Sequence, residues 1–284
     1  MESMSVQELE SMARQVRRDS LRMVHGAGSG HPGGALGCAD FLTALYFNVL
    51  RTGEGKFSLS GHGEDLFFLS NGHLSAVWYS VLARRGYFPV SELSSFRMLG
   101  SRLQGHPTPV EGLPGVRIAS GSLGQGLSVA CGAALGKRMR DDKGLVYSLH
   151  GDGELQEGQI WEAAMFAAAK GLDNLIATVD YNGVQIDGLV DNVISLGDLH
   201  GKWEAFGWEV VEMDGNTMVD VLAGLESARS RTGHGLPVVI IMRTDMGHGV
   251  DFMQGDYKWH GKAPNDEQLA RALEQLASTS YGDY

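Results

Sequence analysis

"LHGDGELQEGQIWEAAMFAAAKG", residues 149–171, contains the abrupt change from strand to helix on which the fold prediction depends. An apolar run that ends at Leu149 is followed by the turn Gly151-Asp152-Gly153, and a helical pattern then begins at once. A second apolar run ends in "DYNG", which places Asn182 thirty residues after Asp152. A buried strand, a glycine turn and a helix in this order indicate a parallel sheet whose strands alternate with helices.

The same alternation extends over the rest of the chain. Strands are predicted at residues 65–70, 145–149, 175–180, 209–213 and 237–243, and helices at residues 5–26, 38–50, 74–85, 127–140, 154–170, 196–206, 219–230 and 266–277. Nearly continuous apolar strands are typical of a sheet that is covered on both faces. The prediction is therefore one α/β domain over residues 1–284, a doubly wound parallel sheet with helices on both faces.

Composition excludes several classes of partner. The 284 residues are 43% hydrophobic, and 23 Lys plus Arg against 34 Asp plus Glu give a net charge of −11. An acidic chain without a basic run does not favour nucleic acid as a partner. No apolar stretch approaches the roughly 20 residues of a membrane span. Cys38 and Cys131 lie in apolar surroundings, so we expect free thiols and a cytoplasmic protein.

Polar motifs follow the predicted strands: "SNGH", "HGDG", "DYNG" and "RTDMGHG". Ligands of such folds bind beyond the carboxyl ends of the strands, so we expect these motifs on one rim. Glycines at a helix start suit a phosphate, but Asp152 would repel one unless a cation lies between them. Mg²⁺ prefers oxygen ligands, which Asp152, Asn182 and a following carbonyl can supply. Alternatively, Asp152 caps a helix and Asn182 forms a turn.

The complete motif "GDGELQEGQIWEA…DYNGVQIDG" resembles the thiamine-diphosphate-binding motif. "SGHPGG", "LSNGH", "GHP", "SGSLGQG", "LQEG" and "WHGKAP" also occur in the order found in transketolases, and the resemblance covers nearly the whole chain. It implies thiamine diphosphate bound through Mg²⁺, or Ca²⁺ or Mn²⁺ in its place. By resemblance, Asp152, Asn182 and the carbonyl of Val184 would bind the metal, and Gly153 would lie against the diphosphate.

The resemblance also assigns four histidines. His73 and His260 would donate hydrogen bonds to the diphosphate. His31 and His106 would face the sugar, bind its hydroxyls and move protons as general acid or base, a task in which His260 would share.

Three further residues receive roles only through the resemblance. Gly121 would contact the aminopyrimidine ring through its backbone, and Leu123 would pack beneath the ring system. Glu157 matches a glutamate that lies near the dimer interface of transketolases and links their two active sites. The alternative for Glu157 is an exposed charge in the first turn of a helix, where the helix dipole favours it.

The resemblance is limited to the amino-terminal domain of transketolases. We therefore expect a separate subunit to carry the pyrimidine-binding and carboxyl-terminal domains, in a complex of two chains of each kind that acts on sugar phosphates. The helices that begin near Leu127 and Ile160 are the candidates for the contact surface; alternatively, both are core helices. Three alternatives remain open at this point: the alpha subunit of a 2-oxo acid dehydrogenase, a deoxyxylulose-phosphate synthase, and a cofactor-binding subunit without catalytic activity.

Overall fold

A computed structural model of the chain describes residues 3–52 and 57–284. Its main feature is a five-stranded parallel sheet in the order β1-β2-β3-β7-β6. The strands of this sheet are β1 (Leu66–Leu69), β2 (Val146–Gly151), β3 (Leu175–Tyr181), β6 (Glu209–Asp214) and β7 (Val238–Arg243). A small antiparallel hairpin, β4 (Val184–Gln185) with β5 (Gly188–Leu189), follows β3.

Helices connect and cover the strands. They are α1 (Val6–Gly26), α2 (Pro32–Gly37), α3 (Ala39–Ala44), α4 (Ser75–Arg84), α5 (Gln125–Met139), α6 (Gly158–Ala169), α7 (Val190–Ile194), α8 (Leu199–Ala205), α9 (Met218–Ser230) and α10 (Asp266–Gln275). A π-helical segment, Leu45–Val49, extends α3.

Successive strand residues belong to different hydrophobic cores, because side chains alternate between the two faces of a sheet. In β1, Phe67 and Leu69 join the core that includes α1, α3, α4 and α9, whereas Leu66 and Phe68 join the core that includes α5, α6 and α8. Both faces of the sheet are thus covered by helices, which confirms the predicted doubly wound fold.

The predicted strands are confirmed with boundaries shifted by one or two residues, but the helices differ in several places: α8 begins at Leu199 instead of 196, and α2 and α7 were not predicted. α2 is helical where the sequence indicated only a break, and it begins with Pro32, whose fixed φ suits the first helical position. Residues 153–156 form a 3₁₀ turn, so α6 starts at Gly158 instead of 154. The cause is Glu154, whose buried carboxylate accepts hydrogen bonds from the backbone of Gly151 and Gly124.

The parallel arrangement gathers the polar motifs at one edge. β1, β2, β3 and β7 end beside one another, and Gly151 pairs with Asp180 across the β2–β3 ladder. Asp152 and Asn182 therefore follow neighbouring strand ends, as the sequence predicted.

Two expectations from composition can be compared with the structure. Cys38 and Cys131 are buried, free thiols. None of the helices formed by residues 3–52 and 57–284 has the length and apolar character needed to cross a membrane.

A buried ion pair at the opposite edge of the sheet stabilises the fold. Lys137 and Asp142 side chains are each 1% exposed, and Lys137 Nζ lies 2.8 Å from Asp142 Oδ2. Lys137 also donates to the carbonyls of Gly61 and Glu64 ahead of β1. The pair thus connects the loop before β1 to the turn before β2.

We expect Lys137→Met to lower the free energy of unfolding by about 3–5 kcal/mol, because the carboxylate of Asp142 is left buried without its cation. Urea denaturation measures the loss. Lys143→Met removes an exposed charge nearby and serves as the matched control, with an expected change within about 0.5 kcal/mol. Equal effects of the two substitutions would contradict a stabilising role for the buried pair.

Candidate functional site

A cleft at the carboxyl edge of the sheet encloses about 940 Å³ of atom-free space, part of it open to solvent. Ten of the eleven predicted site residues line it: His31, His73, His106, Gly121, Leu123, Asp152, Gly153, Asn182, Val184 and His260. These residues come from loops spread over most of the chain. The fold therefore brings the predicted cofactor, metal and sugar residues into one space.

Asp152 organises the centre of this cleft. Its carboxylate is 2% exposed and accepts hydrogen bonds from Gly153 N at 2.7 Å and from Gly183 N at 2.6 Å. Asn182 Oδ1 accepts from Val184 N at 3.0 Å, so the turn after β3 is closed by its own side chain. The cap at Asp152 and the turn at Asn182 are thus both present, and the two residues also line the cleft. Their role as metal ligands stays a prediction.

A second buried carboxylate, Asp180, lies beside Asp152 and was not singled out from the sequence. It accepts hydrogen bonds from the Thr244 hydroxyl and from Asn182 Nδ2. Burial, followed by the negative charge of Asp180, raises the pKa of Asp152 to about 7. Burial likewise raises the pKa of Asp180. The signal in the sequence is the aspartate of "DYNG", two positions before Asn182.

These carboxylates fit a divalent cation. A positive ion at Asp152 would offset both the burial of its charge and the repulsion from Asp180. Among the described residues no cluster of three or more His, Cys, Asp or Glu side chains could hold a metal by itself. The predicted ligand set is not such a cluster, because it combines one carboxylate, one amide and one backbone carbonyl. Phosphate and water oxygens would occupy the remaining coordination positions of the cation.

Three histidines form a compact group on the other side of the cleft. The ring centroids are 5.0 Å apart for His31 and His73, 5.1 Å for His73 and His260, and 5.4 Å for His31 and His260. The His106 ring packs against Gly121, where a Cβ would come within 2.7 Å of His106 Cδ2. Gly121 also has φ +120, which a residue with a side chain rarely adopts.

The protein environment keeps these histidines neutral. Burial, and then repulsion from Arg97 and from the protonated forms of His260 and His106, lowers the pKa of His31 to about 4. Burial is also the main cause that lowers the pKa of His73, His106 and His260. Neutral imidazoles can each donate one hydrogen bond and accept another, so they can bind hydroxyls or phosphate oxygens and accept protons.

Acidification is expected to destabilise the chain through His31. Because its pKa is about 4 in the folded state against 6.5 ordinarily, the unfolded chain binds more protons between these two values. The stability that the neutral form of His31 contributes is therefore fully present above pH 6.5, and it is lost as the pH falls toward about 4. Thermal unfolding should show a smaller drop in Tm on acidification for His31→Gln than for the wild type. His234 is exposed, so His234→Gln should show the same decrease of Tm with falling pH as the wild type. A decrease for His31→Gln as large as that of the wild type would contradict the prediction.

Glu154 is a site residue that the sequence analysis missed. Its carboxylate is 2% exposed and accepts hydrogen bonds from Ser70 Oγ, Gly124 N and Gly151 N. Through these bonds it joins the end of β1, the "SGSLGQG" loop and the turn after β2. The glutamate stands within the quoted "GDGELQEG" motif, but its neighbours are distant in sequence.

Glu157 does not line the cleft. It is exposed at the start of α6, and its Cβ lies near Gly124 at the start of α5. Its predicted link to a second active site stays a prediction.

Unpaired polar atoms support the binding of a polar ligand in the cleft. Among the described residues, His31 Nδ1, Asn71 Oδ1 and Gln185 Oε1 are buried, have no hydrogen-bond partner, and belong to residues that line the cleft. Buried polar atoms of this kind cost about 1–3 kcal/mol each when unpaired, so a ligand that bonds to them gains affinity. Asn71 and Gln185 were not predicted from the sequence.

Comparison with known proteins places the chain in a family. Residues 9–281 match the family "Transketolase, thiamine diphosphate binding domain". The chain is 37% identical to one of the subunits of an apulose-4-phosphate transketolase from Phocaeicola vulgatus, over 96% of this chain and 95% of that protein. It is also 37% identical to a 6-deoxy-6-sulfo-D-fructose transketolase subunit of a Clostridium species, over 95% of this chain and 96% of that protein.

Solved structures agree with the fold and the family. A transketolase from Campylobacter jejuni superposes with a TM-score of 0.88 at 33% identity, over 97% of this chain and 44% of that chain. This chain thus spans less than half of the solved transketolase and nearly all of the two curated relatives named above. The motif-based resemblance is confirmed, and the choice among families left open by the motifs is settled: the chain belongs to the transketolase family and corresponds to its thiamine-diphosphate-binding domain.

Proposed function

We propose that the chain is the cofactor-binding subunit of a two-chain transketolase, which transfers a two-carbon ketol group from a ketose donor to an aldose acceptor. The observation that carries the proposal is the meeting of Asp152, Asn182 and Val184 with four neutral histidines in one cleft. A subunit that only stored the cofactor would not need His31 and His106. The relatives of matching length are named as subunits of transketolases, which supports the same reading.

The diphosphate end of the cofactor would be held at the β2–β3 edge. Asp152, Asn182 and the Val184 carbonyl would bind Mg²⁺, with Ca²⁺ or Mn²⁺ as substitutes of similar ligand preference. His73 and His260 would donate to phosphate oxygens, and Gly153, which has no side chain, would let the diphosphate approach the backbone closely. Gly121 and Leu123 would contact the aminopyrimidine part. When bound, thiamine diphosphate supplies the nucleophilic carbon for ketol transfer.

The sugar would lie against His31 and His106. Both imidazoles are neutral at pH 7, so each can take a proton from a sugar hydroxyl and return it later in the cycle. His260, in ring contact with His31, would bond to the cofactor and also shape the sugar side of the cleft. The loops around the cleft would exclude water from the reacting atoms once the partner covers it.

The partner would be a separate subunit with the pyrimidine-binding and carboxyl-terminal domains, in a complex of two chains of each kind. Exposed apolar side chains on α5 and α6, namely Val129, Met165 and Phe166, are 40–55% exposed and support the expected contact surface. Interfaces of obligate complexes bury on the order of 2,000 Å² and are apolar at the centre. Glu157, at the start of α6, borders the same surface.

The substrate class we propose is a sugar that bears an anionic group. The two relatives are named for apulose 4-phosphate and 6-deoxy-6-sulfo-D-fructose, which carry a phosphate and a sulfonate. We further propose a cytoplasmic location, which the two free buried thiols support.

Reconstitution tests the proposal. The purified chain is assayed with a ketose phosphate, an aldose phosphate, Mg²⁺ and thiamine diphosphate, alone and with a transketolase carboxyl-terminal subunit encoded by an adjacent gene. We expect no turnover by the chain alone and robust turnover by the pair. Turnover by the chain alone would overturn the two-subunit proposal. A pair that binds cofactor but shows no turnover would instead favour the non-catalytic alternative.

A further inference from the structure

One half-buried arginine beside the sugar-side histidines, Arg97, has no carboxylate partner among the described residues. Other buried arginines of the described chain are neutralised: Arg17 by Asp40 and Arg84 by Asp19. For Arg97, burial lowers the pKa, and no Asp or Glu among the described residues forms an ion pair with it. Its guanidinium lies 5.4 Å from the centre of the Phe96 ring. Its Nε is buried without a hydrogen-bond partner. Burying a cation without an opposite charge costs free energy, so the position of Arg97 must be stabilised by other contacts or serve a function.

The Arg97 side chain contacts two separate loops, one before His31 and one before His106. Nη1 donates to Ser29 Oγ at 2.8 Å, two residues before His31. The guanidinium also lies against Gly105, the residue before His106: Nη2 donates to the Gly105 carbonyl at 3.5 Å, and a Cβ at Gly105 would lie only 2.8 Å from Arg97 Cζ. The same side chain therefore touches both loops that carry the sugar-side histidines. Gly105 leaves the space that this contact needs.

The backbone of Arg97 is held in an unusual conformation. Its φ is +59, and among the described non-glycine residues this sign is shared only with Asp141. Arg97 N donates to Leu103 O at 2.8 Å, which fixes the bend and directs the side chain between the two loops. A left-handed conformation costs about 1–2 kcal/mol for a residue with a side chain, and the surrounding contacts must offset it.

We propose that Arg97 is a positioning residue for the sugar-side histidines: its guanidinium joins the two loops that carry His31 and His106 and places a fixed positive charge beside both imidazoles. The groups that face His31 are His73, His106, His260 and Arg97, and the charge that faces His106 is Arg97. All of these are neutral or positive. Asp187 acts on His260, but it is not among the groups that shift the pKa of His31 or His106. The lowered pKa of both histidines agrees with this arrangement. The catalytic part of the inference rests on the proposed function, whereas the electrostatic part can be tested without turnover.

The first experiment follows the histidine protons by NMR during a pH titration of the purified full chain. With Arg97→Met, the pKa of both His31 and His106 should rise toward the ordinary value because the neighbouring positive charge is gone. Arg97→Lys retains the charge and should keep both pKa values low. Arg102→Met is the matched control, since Arg102 lies on the same loop but pairs with Glu92 at 2.7 Å. Unchanged pKa values of both histidines in a folded Arg97→Met chain would overturn the proposal.

The second experiment separates the charge from the contact, using the pair of subunits. A histidine must be neutral to act as a base. A raised histidine pKa in Arg97→Met therefore shifts the acid limb of the pH profile of kcat/KM, where the rate falls on acidification, to higher pH. Ser29→Ala removes only the contact and should lower kcat/KM roughly 2- to 10-fold at every pH without moving the limb. If Arg97→Met raised KM for phosphorylated sugars only and left the acid limb in place, Arg97 would be an anion contact and the positioning role would be wrong. Absence of turnover in the wild-type pair would contradict the proposed function and leave the NMR result valid.

Discussion

Replacing Asp152 by asparagine is expected to lower the Mg²⁺-dependent affinity for thiamine diphosphate by on the order of 100-fold or more, since even outer-shell partners of a metal contribute 10- to 100-fold. Asparagine keeps the shape of the side chain but loses the negative charge that the cation needs. The stability of the chain without cofactor should not fall. Burial and the neighbouring Asp180 raise the pKa of Asp152 from 3.8 to about 7, so the carboxylate costs stability increasingly as pH rises from 3.8 and in full above about 7. Relief of this cost offsets the loss of one of the two acceptors used by Gly153 N and Gly183 N.

Titration calorimetry with thiamine diphosphate, with and without Mg²⁺, measures the affinity, and thermal unfolding measures the stability. Asp152→Ala should lose the same affinity, although it also leaves Gly153 N and Gly183 N without their acceptor. Asp191→Asn, an exposed carboxylate in the α7 segment after β3, is the control and should bind as the wild type does. Unchanged cofactor affinity in Asp152→Asn would show that the metal assignment is wrong.

Alanine at His31 or His106 is expected to reduce the rate of ketol transfer by roughly 10²–10⁴-fold, the usual contribution of a positioned proton donor or acceptor. The affinity for thiamine diphosphate should change little, because these two side chains would face the sugar. The assay compares kcat of the reconstituted pair of subunits with the affinity of each variant chain for the cofactor.

His248→Ala is the matched control for these variants. His248 is partly buried and follows β7, but it does not line the cleft. Its replacement should leave both the rate and the affinity near the wild-type values. Parallel losses of rate and cofactor affinity in His31→Ala or His106→Ala would place those histidines around the cofactor instead of the sugar.

Local patterns in the chain were sufficient to predict the architecture. Apolar runs of strand length alternate with helical segments, and the alternation permits few arrangements other than a covered parallel sheet. The pairing of Asp152 with Asn182 was predictable for the same reason: both follow strands that are consecutive along the chain, and consecutive parallel strands end at the same edge. The start of α6 was less predictable, because the buried contacts of Glu154 replace the expected first helical turn with a 3₁₀ turn.

Residue types and short-range spacing therefore account for the fold class, the rim of polar motifs and the candidate metal ligands of this protein. Packing between distant segments accounts for the rest. It brings the ring centroids of His31, His73 and His260 within 5.4 Å of one another and places Asp180 beside Asp152. It also brings Glu154 to Gly124 and Arg97 to Ser29, residues that are far from them in sequence. The physical reason is that charge repulsion, burial and hydrogen bonding depend on separation in space. These effects set the protonation of the site, and no periodicity along the chain encodes them.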